Sequence, residues 1–281
     1  MSALPFSIAG TRAKLGVLTA IVDALLALFF PPECPLCGRE LGRDPGPRLC
    51  RACARRLERA ERGCPRCGVP GPAAPCRRCA LHPPPFRIAR AVLVYRDGNE
   101  VAHAVQRWKY HRDEVMGRAL TALFRDALAS VAPGTWDWVV PVPSDPVRLR
   151  RRGFSPALAL ARALPGRLGS VAPGLLERRA GASQVGLGQK EREANTGAFA
   201  VAPGARIAGS RVLLVDDVFT TGATVVGCAA ALRAARAAFV DVWTLAHTAP
   251  PGAARREALA EHAPTATSVR APDRSGGSRD G

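Results

Sequence analysis

The chain has 281 residues, enough for one globular domain of ordinary size and a smaller module beside it. Its formal charge of +17 invites an anionic partner, either nucleic acid or a phosphorylated metabolite. Almost all of that charge is arginine, with Lys14, Lys109 and Lys190 the only lysines, so basicity by itself does not identify a DNA-binding protein. Nine cysteines, eight of them in four C-x-x-C pairs before residue 80, argue against a disulfide framework and for metal binding in a reducing, cytoplasmic setting.

Residues 14 to 30, "KLGVLTAIVDALLALFF", superficially resemble a signal peptide. They lack a small-residue cleavage site, contain Asp23 and fall short of the ~20 apolar residues that span a bilayer. Leu18, Ile21, Val22, Leu25, Leu28 and Phe29 recur at helical spacing, which predicts a docking helix within 1–31 and no stable membrane insertion. Residues 32–81 are punctuated by Gly, Pro and Arg, carry few large apolar side chains, and must be held by metal. "HPPPF", 82–86, reads as a stiff linker. A second domain is expected over 86–248. "RAVLVYRD" is its first strand, and the three- and four-residue apolar spacing of 99–130 predicts helices. "WDWVVPVPS" (136–144) is a buried strand breaking at prolines, followed by a basic turn that enters a helix at "SPALALARAL". "RVLLVDD" (211–217) is a continuous apolar strand, "ATVVGCAAALRAARAA" its helix and "FVDVWTLAHT" the next strand. Strands alternating with helices imply an α/β domain built on a parallel sheet with helices on both faces. Residues 249–281 are Pro, Gly, Ser and charge without period, a disordered tail.

The cysteine pairs are Cys34/Cys37, Cys50/Cys53, Cys64/Cys67 and Cys76/Cys79. A C-x-x-C turn brings two thiolates onto one edge of a tetrahedron, and a second pair a dozen residues on closes the site. Four pairs make two sites, most simply 34/37/50/53 and 64/67/76/79, a tandem zinc ribbon; spacing alone leaves interleaved pairing open. Redox disulfide chemistry and an iron–sulfur cluster are the rival readings. Sites filled by four cysteines leave no open position for catalysis, so the zinc is expected to be structural. Cys228, among Val226 and alanines, reads as a core cysteine.

Asp216 and Asp217 end a strand, and "VFTTGAT" links it to a helix. Ligands of open parallel sheets lie at the carboxyl ends of strands, and a turn entering a helix there presents free N–H groups to a phosphate. Gly222 permits close approach, and Thr220, Thr221 and Thr224 add hydroxyls. Carboxylates repel phosphate, so they must face sugar hydroxyls or hydrated magnesium. A phosphate beside a diol describes a ribose 5-phosphate. His82, His103, His111, His247 and His262 are scattered, and only His247 lies near a strand end.

"VLLVDDVFTTGAT" resembles the phosphoribosyl pyrophosphate (PRPP) signature of type I phosphoribosyltransferases. "LFFPPECPLCG", "WKY" around Lys109, "VVPVPSDPVRLRRRGFSPA" and "RRAGASQVGLGQKEREANTGAF" extend the resemblance to the ComF-like (GntX-like) competence-protein branch, over residues 25–247. The resemblance implies that Mg–PRPP binds with Asp216 and Asp217 as the catalytic acids on its ribose hydroxyls. It places Val218, Phe219, Thr220, Thr221, Gly222, Ala223 and Thr224 around the 5-phosphate. It assigns Ser144, Arg148, Arg150, Arg152 and Lys109 to the pyrophosphate side. Arg179, Gln184, Gly186, Leu187, Arg192 and Asn195 match a mobile loop that closes over the site. Where the branch has an Asn-Gln pair after "RGF", this chain has Ser155 and Pro156. The implied reaction transfers phosphoribosyl to a nitrogen acceptor through an oxocarbenium-like transition state, without a strong protein base. The rival reading, drawn from the branch's association with natural transformation, is a DNA-uptake scaffold binding single-stranded DNA or the competence machinery.

Overall fold

A computed structural model describes residues 31–41, 49–60, 63–69, 74–179 and 197–249. The expected N-terminal helix and tail lie outside the described residues, as do Gln184, Gly186, Leu187, Arg192 and Asn195 of the expected mobile loop. Among the described residues no helix is long and apolar enough to cross a membrane.

The ribbon segment contributes two short helices, α1 (Arg51–Arg56) and α2 (Arg77–Leu81). Strand β1 (Ile88–Tyr95) is followed by α3 (Glu100–His111) and α4 (Glu114–Ala127). Asn99 and Asp113 accept from the backbone N–H groups of Ala102 and Met116, satisfying donors that a helix start leaves free. Strand β2 (Trp138–Pro141) leads into α5 (Pro146–Arg152) and α6 (Pro156–Ala163). The basic stretch 146–152 is therefore a helix rather than the expected turn. Asp145 caps its start, Pro146 takes the first position where no N–H is needed, and Gly153 at φ +81° ends it. Ser155 caps α6 by accepting from Leu158 N–H, and Pro156 opens it, so the departure from the Asn-Gln pattern is a helix-start signal. Strands β3 (Ser170–Val171), β4 (Leu176–Arg178), β5 (Phe199–Val201) and β6 (Arg211–Phe219) precede α7 (Ala223–Ala234) and β7 (Phe239–Thr248).

Five strands form a parallel sheet in the order β1-β7-β6-β2-β3, and β4 pairs with β5 in a separate antiparallel ribbon. Alternation along the strands divides the core in two. Leu213, Val215 and Leu245 join Trp108, Leu120, Phe124 and Leu160 on the face covered by α3, α4 and α6. Val212, Leu214, Val240 and Val242 join Phe86, Val225, Cys228 and Leu232 on the face covered by α7. The architecture is thus an α/β parallel sheet with helices on both faces, and Cys228 is a core residue. Asp241, fully buried, is held by Arg87 through two hydrogen bonds and accepts from the Trp136 indole at 3.0 Å, which satisfies its charge.

Strand β1 is an edge of that sheet, and the ribbon segment covers it. Ala60 N–H donates to the Val92 carbonyl at 3.0 Å and Val94 N–H to Glu58 at 2.9 Å, an antiparallel bridge that removes the exposed edge. Ala89 N–H donates to the Arg66 carbonyl, and Leu57 is buried in the main core. At the end of the segment 82–86, expected as a stiff linker, Phe86 is 3% exposed and packs edge-on against Phe219, while His82 and Pro83 are exposed. Burying that ring contributes about 2 kcal/mol. The described ribbon and sheet belong to one compact unit that ends at Ala249.

Candidate functional site

The cysteines gather into two sets, Cys34, Cys37, Cys50, Cys53 and Cys64, Cys67, Cys76, Cys79, each with its sulfurs within 4.8 Å of one another. The sequential pairing is the one realised. The closest sulfurs between pairs, Cys37–Cys50 and Cys67–Cys76, are both 3.7 Å apart. A tetrahedral zinc with bonds of about 2.3 Å separates its sulfurs by roughly 3.8 Å, so each set fits the ion. Gly38 and Gly68 each turn at φ +70°, and their N–H groups return to the Cys34 and Cys64 carbonyls. Burial raises the Cys34 and Cys64 thiols, but amide donors led by Cys50 and Cys76 N–H outweigh it and bring them to about 7 and about 6. Zinc would be held as thiolate, with those amides sharing the negative charge.

The second feature sits at the carboxyl end of β6. Asp216 and Asp217 lie inside the strand, which continues two residues further to Phe219, where it pairs with His247 of β7. The Asp216 carboxylate accepts from Asp217 N–H at 2.8 Å, and Asp217 accepts from Val218 N–H at 2.7 Å. Lys109, on α3, places its Nζ 2.6 Å from Asp217 Oδ2. Burial and the neighbouring Asp217 charge push the Asp216 carboxyl up to about 8, against the opposing pull of its own hydrogen bond and Lys109. The two acids thus oppose each other's ionisation, and Lys109 is the cation set against them. That is how so basic a chain keeps two adjacent acids in a strand.

The turn 220–222 follows. Gly222, at φ +78°, starts α7, and a Cβ there would meet the Phe219 ring at 2.6 Å. The glycine is required from below, by Phe219, as well as by its own backbone. Thr221 Oγ1 accepts from Ala223 N–H at 3.3 Å, and the Thr248 hydroxyl donates to the Phe219 carbonyl at 2.9 Å. Phe219 also stacks on His247 at 4.7 Å. The His247 Nδ1 lies 2.6 Å from the Thr248 carbonyl and must donate to it. Burial lowers the pKa of the ring, so it supports the loop as a neutral aromatic.

The remaining expected residues divide. Ser144 donates to Ser155 at 2.9 Å, in the loop after β2, the neighbour of β6 in the sheet. Arg148, Arg150 and Arg152 stand on α5, where about 100° per residue puts Arg148 and Arg152 on one side and Arg150 on the other. Arg152 lies 4.9 Å over the Tyr110 ring and donates to its hydroxyl at 3.2 Å. Lys109 stands with the acids rather than with these arginines. Arg179 follows β4 and its N–H donates to Ala198, tying one root of the expected mobile loop to the other. One contact has no signal in the sequence. Arg78, between Cys76 and Cys79, donates from Nη1 to the Thr221 carbonyl at 2.9 Å. The residues are 143 apart, beyond the reach of any spacing argument.

A double zinc ribbon domain model matches residues 25–81. The chain is 32% identical over 230 residues to the DNA utilization protein YhgH of Salmonella typhi, covering 79% of this chain and 99% of that protein. It is 31% identical over 209 residues to YhgH of Escherichia coli strain K12, covering 71% and 90%. The competence protein ComFC of Bacillus subtilis strain 168 is 28% identical over 231 residues, covering 75% and 93%. Among solved structures, a glutamine PRPP amidotransferase from B. subtilis aligns at 23% identity and a TM-score of 0.31, over 46% of this chain and 26% of the enzyme. Sheet and ribbons together define an α/β protein with a five-stranded parallel sheet and an N-terminal double zinc ribbon. Within that class the chain belongs to the ComF-like family of the DNA utilization protein YhgH and the competence protein ComFC.

Proposed function

We propose that the chain binds Mg–PRPP at the carboxyl end of β6 and transfers its phosphoribosyl group to a nitrogen acceptor, as a cytoplasmic enzyme. The observation that carries this reading is the acidic pair, met by Lys109 at 2.6 Å and followed at once by a glycine-started helix. Asp217 takes the ribose hydroxyls, with magnesium as part of the substrate, while the amides of 220–224 hold the 5-phosphate. When the diol occupies Asp217, Lys109 is freed for the departing pyrophosphate, whose further contacts come from Ser144, Arg148 and Arg152. The acceptor nitrogen attacks C1, the C1–oxygen bond to pyrophosphate breaks, and the nitrogen proton leaves to solvent or product. The site's work is to position and to balance charge. Calorimetric titration of the zinc-loaded chain with PRPP and magnesium tests it. Saturable binding, lost in an Asp216→Asn/Asp217→Asn variant, is expected; a folded wild-type chain that takes up no PRPP overturns it.

The second reading is single-stranded DNA handling, supported by the relatives' names and by a specific surface. Tyr110, Val147 and Leu149 are exposed around the arginines of α5, and an aromatic ring beside guanidinium groups suits stacked bases and their phosphates. Salt-sensitive binding of an oligonucleotide that a Tyr110→Ala change weakens is the expected sign.

A further inference from the structure

The second zinc ribbon touches the phosphate loop directly. Arg78 lies on α2, a five-residue helix that starts after Cys76 and contains Cys79. Cys76 and Cys79, two of the four ligands of the second set, bracket it, so the fold of that ribbon places the residue. Its hydrogen bond to the Thr221 carbonyl grips the loop from outside. A trans peptide holds its C=O and N–H on opposite sides. Pinning the Thr221 carbonyl toward Arg78 therefore turns the Gly222 N–H the other way, away from Arg78. A cation on the carbonyl also polarises that amide into a stronger donor.

A second contact from the same segment meets the loop's other end. Phe86, five residues after α2, packs edge-on against Phe219 at 6.4 Å and 86°. Phe219 in turn occupies the space beneath Gly222. The ribbon itself is anchored to the sheet through the Arg66 carbonyl and Ala89 N–H.

We propose that Arg78 is a positioning residue for the phosphate-binding loop, a strap through which the folded second zinc ribbon orients the loop amides toward an anionic ligand. This inference rests on the PRPP reading of the site for its ligand, though not for its geometry. Loss of zinc from the second site would then loosen the loop.

The test uses the full-length, zinc-loaded chain with Arg78→Ala, Arg78→Lys and, as a control of equal charge change, Arg77→Ala at the exposed neighbouring position. Zinc per chain is measured first and is expected to be the same in all four proteins. Calorimetry with Mg–PRPP and with ribose 5-phosphate should show Arg78→Ala weakening both by about ten-fold. Arg78→Lys should recover part of that loss, and Arg77→Ala should change little. Equal affinities for the two alanine variants would overturn the strap and leave the PRPP reading intact. If the wild-type chain binds neither ligand, the PRPP reading falls and hydrogen exchange decides the strap alone. Faster exchange of the 220–224 amides in Arg78→Ala than in Arg77→Ala sustains it, and matching rates overturn it.

Discussion

The two zinc ribbons are built alike and docked differently. Each has a C-x-x-C turn closed by a glycine at φ +70°, an amide on the first sulfur at 3.4 Å, and a short helix bearing the last ligand. The first lies against α3 and α4, where Arg107 donates to the Pro35 carbonyl and Leu36 and Leu49 touch the core. The second is sewn to the edge of β1 and reaches the loop after β6. A Cβ at Gly38 would meet open space, whereas one at Gly68 would meet the Ala89 carbonyl at 2.6 Å. One local fold thus serves two purposes, and what each ribbon leans on separates them.

The largest effect should come from removing a zinc ligand. Cys64→Ser is expected to lose about one zinc per chain and, with it, most affinity for Mg–PRPP, because metal binding is the folding energy of such a module. Cys34→Ser should lose the other zinc and keep PRPP binding within a few-fold. Metal content by mass spectrometry and calorimetry on both variants would show it; equal losses would erase the distinction. Next come the glycines. Gly38→Ala should cost about 1 kcal/mol for its left-handed backbone. Gly68→Ala should cost roughly 2–4 kcal/mol, since its methyl also displaces β1. Urea unfolding of both proteins measures the difference.

The loop can also be perturbed from the sheet side, away from either ribbon. The Asp216 carboxyl holds its proton up to about 8, far above the ~3.9 of an unfolded Asp. Between those values the folded chain binds the extra proton, so this group makes stability fall as pH rises from about 4 to about 8. Asp216→Asn should flatten that dependence and keep both zincs, as followed by melting temperature against pH and zinc content. The smallest effect is expected at Arg107, which is about one-third exposed and pairs with Asp113. Arg107→Ala should cost under ~1 kcal/mol and leave PRPP affinity unchanged.

Much of this was legible in the chain. Apolar runs marked β1, β2, β6 and β7, and the C-x-x-C spacing announced two metal sites. Boundaries were less so. Arg148 to Arg152 looked like a turn because no apolar face marks α5, yet the Asp145–Pro146 start and Gly153 stop make it a helix. Asp216 and Asp217 looked like the end of their strand, since charge rarely sits inside one. Burial that holds the Asp216 proton, together with Lys109 against Asp217, allows β6 to continue to Phe219. Lys109 was assigned to the pyrophosphate side by resemblance alone, and its contact with Asp217 joins residues too far apart in the chain for any spacing argument to reach.

The sequence by itself determined the eight ligand cysteines, the parallel α/β plan and the acidic pair before a glycine-bearing turn, while the fold decided which cysteine pairs share a site. Each of the features the sequence determined depends on residues within a few positions of one another, where backbone geometry is local. Only the tertiary structure decided that Phe86 packs on Phe219, that the ribbon segment closes the β1 edge, and that Arg78 holds Thr221. Those contacts join residues tens to more than a hundred positions apart, and they exist because an unpaired strand edge and an exposed Phe86 ring must each find a partner somewhere in the fold.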